Sequence, residues 1–164
     1  MISRRGSRRS RIRRALSPLL LGVGLLVAAP GPVASSVGAV VSSGDIHPFA
    51  AGAGMDISGG ARMVRTADGK TIVFVHVEGL DPSTTYGSHV HAAACGVGEA
   101  DGHYRFDPTG PAAPPNEIWP GPLTTTPAGV GNGFTVADGT AGPEAVSVVV
   151  HAPGGAKIAC ADLS

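Results

Sequence analysis

The chain of 164 residues has the length of a single domain, and its twelve lysines and arginines balance its twelve acids. The balance is uneven along the chain, because seven arginines lie within the first 14 residues whereas all twelve acids follow Gly44. Without the N-terminal segment, twelve acids face five bases, which gives a formal net charge of −7. Such a charge argues against nucleic acids and anionic membrane surfaces as partners.

The N-terminal segment has the pattern of an export signal. Its arginine-rich start precedes the apolar run from Ala15 to Ala29, which is shorter than the roughly 20 apolar residues of a membrane span. We therefore expect a signal peptide over residues 1–35, a flexible linker over 36–45 and one β domain over 46–164. After cleavage we expect no stable membrane insertion, and a secreted or cell-envelope location.

The chain has two cysteines, Cys95 and Cys160. Two cysteines in an oxidising compartment normally pair. A bridge between them would close a loop of 65 residues and stabilise the fold by about 4 kcal/mol on the chain-entropy treatment. Two free buried thiols are the alternative.

Short strands with turn signals follow one another from residue 50 onward. Residues 67–70 read Ala-Asp-Gly-Lys, a hairpin signal between strand candidates at 61–66 and 71–78. About eight such strands with no helical period predict an all-β fold, an eight-stranded antiparallel Greek-key β-barrel or sandwich. The other strand candidates begin at Tyr86 and cover 117–126, 133–137, the valine-rich 145–151 and 157–163.

Histidines are concentrated in and after the strand that begins at Tyr86. His89 and His91 are two residues apart, so on a strand both imidazoles leave the same face. His103 follows in a glycine-rich loop, and His151 ends the valine run. This pattern predicts a metal site on a β scaffold, whereas a purely structural β domain has no need of such a set.

Several segments resemble copper/zinc superoxide dismutases, in the order in which that family has them. Gly87-Ser88-His89-Val90-His91, Gly102-His103-Tyr104 and Val148-Val149-Val150-His151 resemble the copper-ligand segments, and Lys157-Ile158-Ala159-Cys160-Ala161 resembles the closing strand. The resemblance implies a secreted copper-dependent superoxide dismutase that converts superoxide to oxygen and hydrogen peroxide. It also implies copper ligation by His89, His91, His103 and His151, with a catalytic role in proton transfer for His103.

Two departures from the family concern zinc and the partner of His103. No histidine lies between His103 and His151, although the family's zinc site requires two there, so we expect copper without zinc. The second nitrogen of His103 then needs another partner, for which Glu99, Asp101 and Asp107 are the candidates near in sequence.

A further departure concerns the cation that attracts superoxide. Lys157 stands where the family has its anion-guiding arginine, and only residues 152–156 connect His151 to it. Lysine keeps the positive charge without the planar donor fork of arginine. We expect Lys157 to attract superoxide, with Arg105 as a second candidate and a merely solvated lysine as the alternative.

Two other functions fit parts of the pattern. A non-catalytic protein of the same fold that binds and buffers copper would need the same four histidines, and it fits the lysine and the short connection. A zinc hydrolase fits less well, because the chain has no helical His-Glu-x-x-His segment.

Overall fold

The computed structural model describes residues 38–164, and the predicted signal peptide lies outside these residues. The described part of the chain forms β-strands and one short 3-10 helix at Ala50–Gly52. No helix in this part is long and apolar enough to cross a membrane. The strands in chain order are β1 Val40–Asp45, β2 His47–Pro48, β3 Ser58–Arg65, β4 Lys70–Glu78, β5 Thr85–His91, β6 Leu123–Thr124, β7 Gly131–Asp138, β8 Ser147–His151 and β9 Lys157–Asp162.

These strands form two antiparallel sheets. One sheet has the order β1-β3-β4-β7 and the other the order β2-β9-β8-β5-β6. Strands β4 and β5 are consecutive in the chain but lie in different sheets, and β7 and β8 are divided in the same way. The architecture confirms the predicted all-β Greek-key fold, with two of the nine described strands only two residues long.

The core lies between the two sheets and consists mainly of valine and alanine. On β4, Thr71, Val73, Val75 and Val77 point inward, as the period of two in a strand requires. All five residues of β8 are buried, as expected for the valine-rich central strand. Each fully buried valine contributes about 1.5–3 kcal/mol, so this strand fixes the centre of the second sheet.

The structure differs from the predicted elements in two places. Residues 40–45, predicted as part of a flexible linker, form β1, which pairs with β3 along its whole length. Its small polar residues show no periodicity, and the strand exists because β3 offers an edge to pair with. The strand predicted over 117–126 contains only Leu123–Thr124, because Pro120 and Pro122 have no N–H to donate to a ladder.

Cys95 and Cys160 form a disulfide with a Cα–Cα distance of 5.8 Å. The bridge joins the loop after β5 to β9 and closes a loop of 65 residues. The backbone N–H of Cys95 also donates to the side chain of Asp162, at 2.8 Å. The loop that follows the histidine strand is therefore fastened to the last strand at two adjacent points.

Candidate metal centre

Neighbouring strands of the second sheet carry three of the four predicted ligands. His89 and His91 lie on β5, and His151 ends β8 beside Gly87 of β5. His103 reaches the same place because its backbone forms an isolated bridge with His91. Antiparallel pairing of residues distant in sequence thus brings the four side chains together.

The four imidazoles converge on one point. One nitrogen from each of His89, His91, His103 and His151 lies within 4.8 Å of the others. His89 Nδ1 is 3.0 Å from His103 Nε2, and His91 Nε2 is 3.3 Å from His151 Nε2. Two nitrogens that bind one ion at about 2 Å, at right angles, would be about 2.9 Å apart. The donor set therefore fits a single metal ion with nitrogen ligands.

The outer nitrogens of two of these rings donate to backbone carbonyl oxygens. His91 Nδ1 donates to the carbonyl oxygens of Ala100 and Asp101, at 3.1 and 3.2 Å. His151 Nδ1 donates to Gly155 O at 3.1 Å. Because a carbonyl oxygen only accepts, the proton of each ring sits on Nδ1 and the lone pair of Nε2 faces the cluster.

Burial keeps three rings of the cluster neutral. Desolvation lowers the pKa of His89 to about 3 and that of His91 to about 4, and the neighbouring imidazoles add to both shifts. The pKa of His151 is also lowered, again mainly by burial. These three rings are consequently unprotonated at neutral pH, which is the form that binds a metal ion.

His103 is held by a residue that the sequence analysis missed. Its Nδ1 donates to Glu117 Oε2 at 2.8 Å, and only 3% of Glu117 is exposed. The expected partners Glu99, Asp101 and Asp107 do not take this place. Asp101 offers its backbone carbonyl to His91, and the side chain of Asp107 accepts from the backbone N–H and hydroxyl of Thr109 in its own turn.

Two further side chains contact the Glu117 carboxylate. Trp119 Nε1 donates to Oε2 at 2.8 Å, and Arg105 Nε lies 3.8 Å from Oε1. Glu117 is 14 residues from His103, so a search of the nearby sequence could not find it. The sequence feature that could have indicated Glu117 is its position directly before the apolar pair Ile118-Trp119, at the end of a proline-rich loop.

Lys157 lies at a cavity beside the cluster. The cavity has a volume of ≈ 580 Å³ and is lined by Lys157 together with His89, His103 and His151. Lys157 Nζ donates to Glu99 O at 2.9 Å and to Asp101 O at 2.6 Å. Its ammonium is thus tied to the loop whose carbonyls orient His91.

Arg105, the second candidate cation, has a different place. Its guanidinium donates to Pro108 O and Gly110 O and faces Glu117. It does not line the cavity that contains Lys157. Lys157 is therefore the candidate that shares a cavity with three of the four histidines.

A larger cavity, of ≈ 1040 Å³, lies elsewhere, on the outer face of the first sheet. Phe74, His76 and Phe134 are among its lining residues. The only cluster of three or more potential metal ligands found in residues 38–164 is the set of four histidines. The convergence of four potential metal ligands, and not the volume of a cavity, therefore identifies the candidate site.

The fold and the cluster together define a two-sheet antiparallel β domain with a four-histidine, metal-type site. No protein-family model matches the chain, and no curated protein sequence matches it. Among solved structures, it is similar to Candida albicans superoxide dismutase 5 with Cu(II), at 18% sequence identity and a TM-score of 0.50. The match covers 75% of this chain and 90% of the other. At this identity the similarity shows the fold alone.

Proposed function

We propose that the protein is a secreted, copper-dependent superoxide dismutase that works without zinc. The observation that carries the proposal is the convergence of four imidazoles on one point, beside a cavity that is also lined by the cation Lys157. The similarity in fold to a superoxide dismutase with Cu(II) supports it. The N-terminal export pattern and the Cys95–Cys160 bridge support a location outside the cytoplasm.

The donor set favours copper. Four imidazole nitrogens suit a tetragonal Cu(II) site, and imidazole also serves as a ligand to reduced copper. Bound copper would supply the one-electron exchange by which one superoxide is oxidised to oxygen and the next is reduced to peroxide. His89, His91 and His151 would hold the ion, because their proton-bearing or outer nitrogens point away from it.

His103 has the position to handle a proton. Glu117 accepts from its Nδ1, so its Nε2 is the atom that would bind the metal or hold a proton. The reduced product needs protons, and His103 lines the cavity through which a small anion reaches the cluster. We assign His103 the role of proton donor and Glu117 the role of fixing its orientation.

The same contact supports the absence of zinc. In a site with two metals, His103 Nδ1 would have to face the second ion, and here it faces Glu117. No histidine is available between His103 and His151 to complete such a site. A single carboxylate with one shared imidazole falls short of the four good ligands that zinc normally requires.

Lys157 is proposed to attract the substrate. The protein without its N-terminal segment has a net charge of −7, so its overall field repels superoxide and only a local positive charge at the cavity can reverse this. The charge of Lys157 contributes to the lowered pKa values of His91 and His151, which places its field at the cluster. The two carbonyls that Lys157 contacts hold the ammonium in place without neutralising it.

A charge-reversal series tests this role and separates an enzyme from a copper-buffering protein. Lys157→Glu should reduce the rate of superoxide loss at low salt by at least 10-fold with copper content unchanged, and Lys157→Arg should keep the rate. Lys70→Glu is the matched control, because it changes the net charge equally but lies on β4, where Lys70 pairs with Asp138. Salt should slow the wild type, since steering is screened over about 10 Å at 0.1 M.

Three outcomes would contradict parts of the proposal. Equal rates for Lys157→Glu and Lys70→Glu would remove Lys157 from substrate attraction. Copper-loaded wild-type protein that consumes superoxide no faster than buffer would remove the dismutase function and leave the copper-binding alternative. Retention of one zinc per copper after dialysis would contradict the copper-only site.

A further inference from the structure

The single tryptophan of the chain contacts two members of the metal centre at once. Trp119 Nε1 donates to Glu117 Oε2 at 2.8 Å, the same oxygen that accepts from His103 Nδ1 at 2.8 Å. The Trp119 ring also lies beside the His89 ring, with centroids 4.8 Å apart and planes at 42°. One half-buried side chain therefore contacts His89 directly and reaches His103 through a carboxylate.

The buried carboxylate needs such a partner. Glu117 is 3% exposed, and a buried carboxylate is costly unless hydrogen bonds satisfy it. Oε2 receives both of the short hydrogen bonds, whereas Oε1 faces the guanidinium of Arg105 at 3.8 Å. The guanidinium therefore lies opposite one oxygen of the carboxylate, and the indole N–H holds the other oxygen, Oε2, beside His103.

We propose that Trp119 is a positioning residue for the metal centre, which acts through Glu117 on His103; the inference rests on the proposed copper site. The indole N–H keeps Glu117 Oε2 beside His103 Nδ1, so His103 carries its proton on Nδ1 and directs the Nε2 lone pair at the cluster. Without this donor the only short hydrogen bond left on Oε2 within residues 38–164 is the one from His103 itself, so the carboxylate can turn and His103 is free to change tautomer and orientation.

A double-mutant cycle on copper affinity tests this pathway. Trp119→Phe keeps an aromatic ring beside His89 but removes the N–H donor, and Glu117→Leu removes the acceptor. Because partners of a ligand typically contribute 10- to 100-fold in metal affinity, Trp119→Phe should weaken Cu(II) binding about 10-fold in competition with a chelator. The same substitution in the Glu117→Leu background should change the affinity by less than about 3-fold, because its target is gone.

A second measurement needs no metal. Nitrogen-15 NMR of the histidines in the metal-free protein should show His103 with its proton on Nδ1 in the wild type. Trp119→Phe should give a mixture of tautomers for His103, with His91 and His151 unchanged, since backbone carbonyls fix those two rings. A variant that merely loosened the fold would disturb all three rings, and thermal unfolding checks that each variant folds.

The outcomes separate this inference from the proposed function. Additive effects of the two substitutions, or an unchanged His103 tautomer in Trp119→Phe, would overturn the role of Trp119. If the wild type binds copper but does not consume superoxide, the proposed function is contradicted, and the double-mutant cycle on copper affinity still decides the role of Trp119. A wild type that binds no copper would contradict the proposed function as well, and the tautomer of His103 in the two metal-free proteins would still decide the inference.

Discussion

Lowering the pH from 7 to 5 should destabilise the metal-free protein, because three histidines of the cluster are buried in the unprotonated form. His91 is 0% exposed, and burial lowers its pKa from 6.5 to about 4. Between these values the unfolded chain binds more protons than the folded one, so stability falls as pH decreases. From pH 7 to pH 5 this single residue should cost about 2 kcal/mol of unfolding free energy, at about 1.4 kcal/mol per pH unit below 6.5.

Urea unfolding of the metal-free protein at pH 7, 6 and 5 measures this effect. The pKa values of His89 and His151 shift in the same direction, so these two residues add to the loss calculated for His91. His91→Gln should lose about 2 kcal/mol less over the same range. His76→Gln is the control, since His76 is exposed on β4 and its pKa is raised by Asn132 and Glu78. A stability that stays constant or rises from pH 7 to pH 5 would refute the argument.

Two further predictions concern the bridge and the tryptophan. Replacing Cys95 and Cys160 together by serine should lower the unfolding free energy by about 4 kcal/mol, as measured by urea unfolding. It should also weaken copper binding in competition with a chelator, because the bridged loop carries the carbonyls that orient His91. An unchanged copper affinity would show that the bridge does not hold that loop. Binding of Cu(II) should quench the fluorescence of Trp119, which lies beside His89, and the quenching should saturate at one equivalent. Continued quenching far beyond one equivalent would place the copper elsewhere.

Most strands could be predicted from local sequence patterns, and the two that were predicted wrongly, β1 and β6, differ for physical reasons. The alternation of apolar and polar residues on β4 and the valine run of β8 indicate directly which residues face the core. Strand β1 has no such alternation, since its outer and inner residues are similarly small, and pairing with β3 decides its conformation. The stretch around Leu123 looked like a longer strand because its apolar residues mask the effect of the flanking prolines.

The candidate site was predictable as far as residue type and spacing could indicate it. The spacing of His89 and His91 on one strand placed both on a common face, the sequence pattern added His103 and His151, and the resemblance implied that all four bind one copper ion. Glu117 was not predictable in this way, because it meets His103 only after the chain between them folds back. A partner defined by three-dimensional contact leaves little trace in the local sequence.

Metal content and superoxide loss, measured on the same copper-loaded sample, test the central claim most directly. The account predicts one copper and no stoichiometric zinc per chain after dialysis. It also predicts that superoxide decays in proportion to bound copper, faster than in buffer, and that the rate falls as salt increases. A protein that retains no copper, or one that retains copper and leaves superoxide decay unchanged from buffer, would contradict the account.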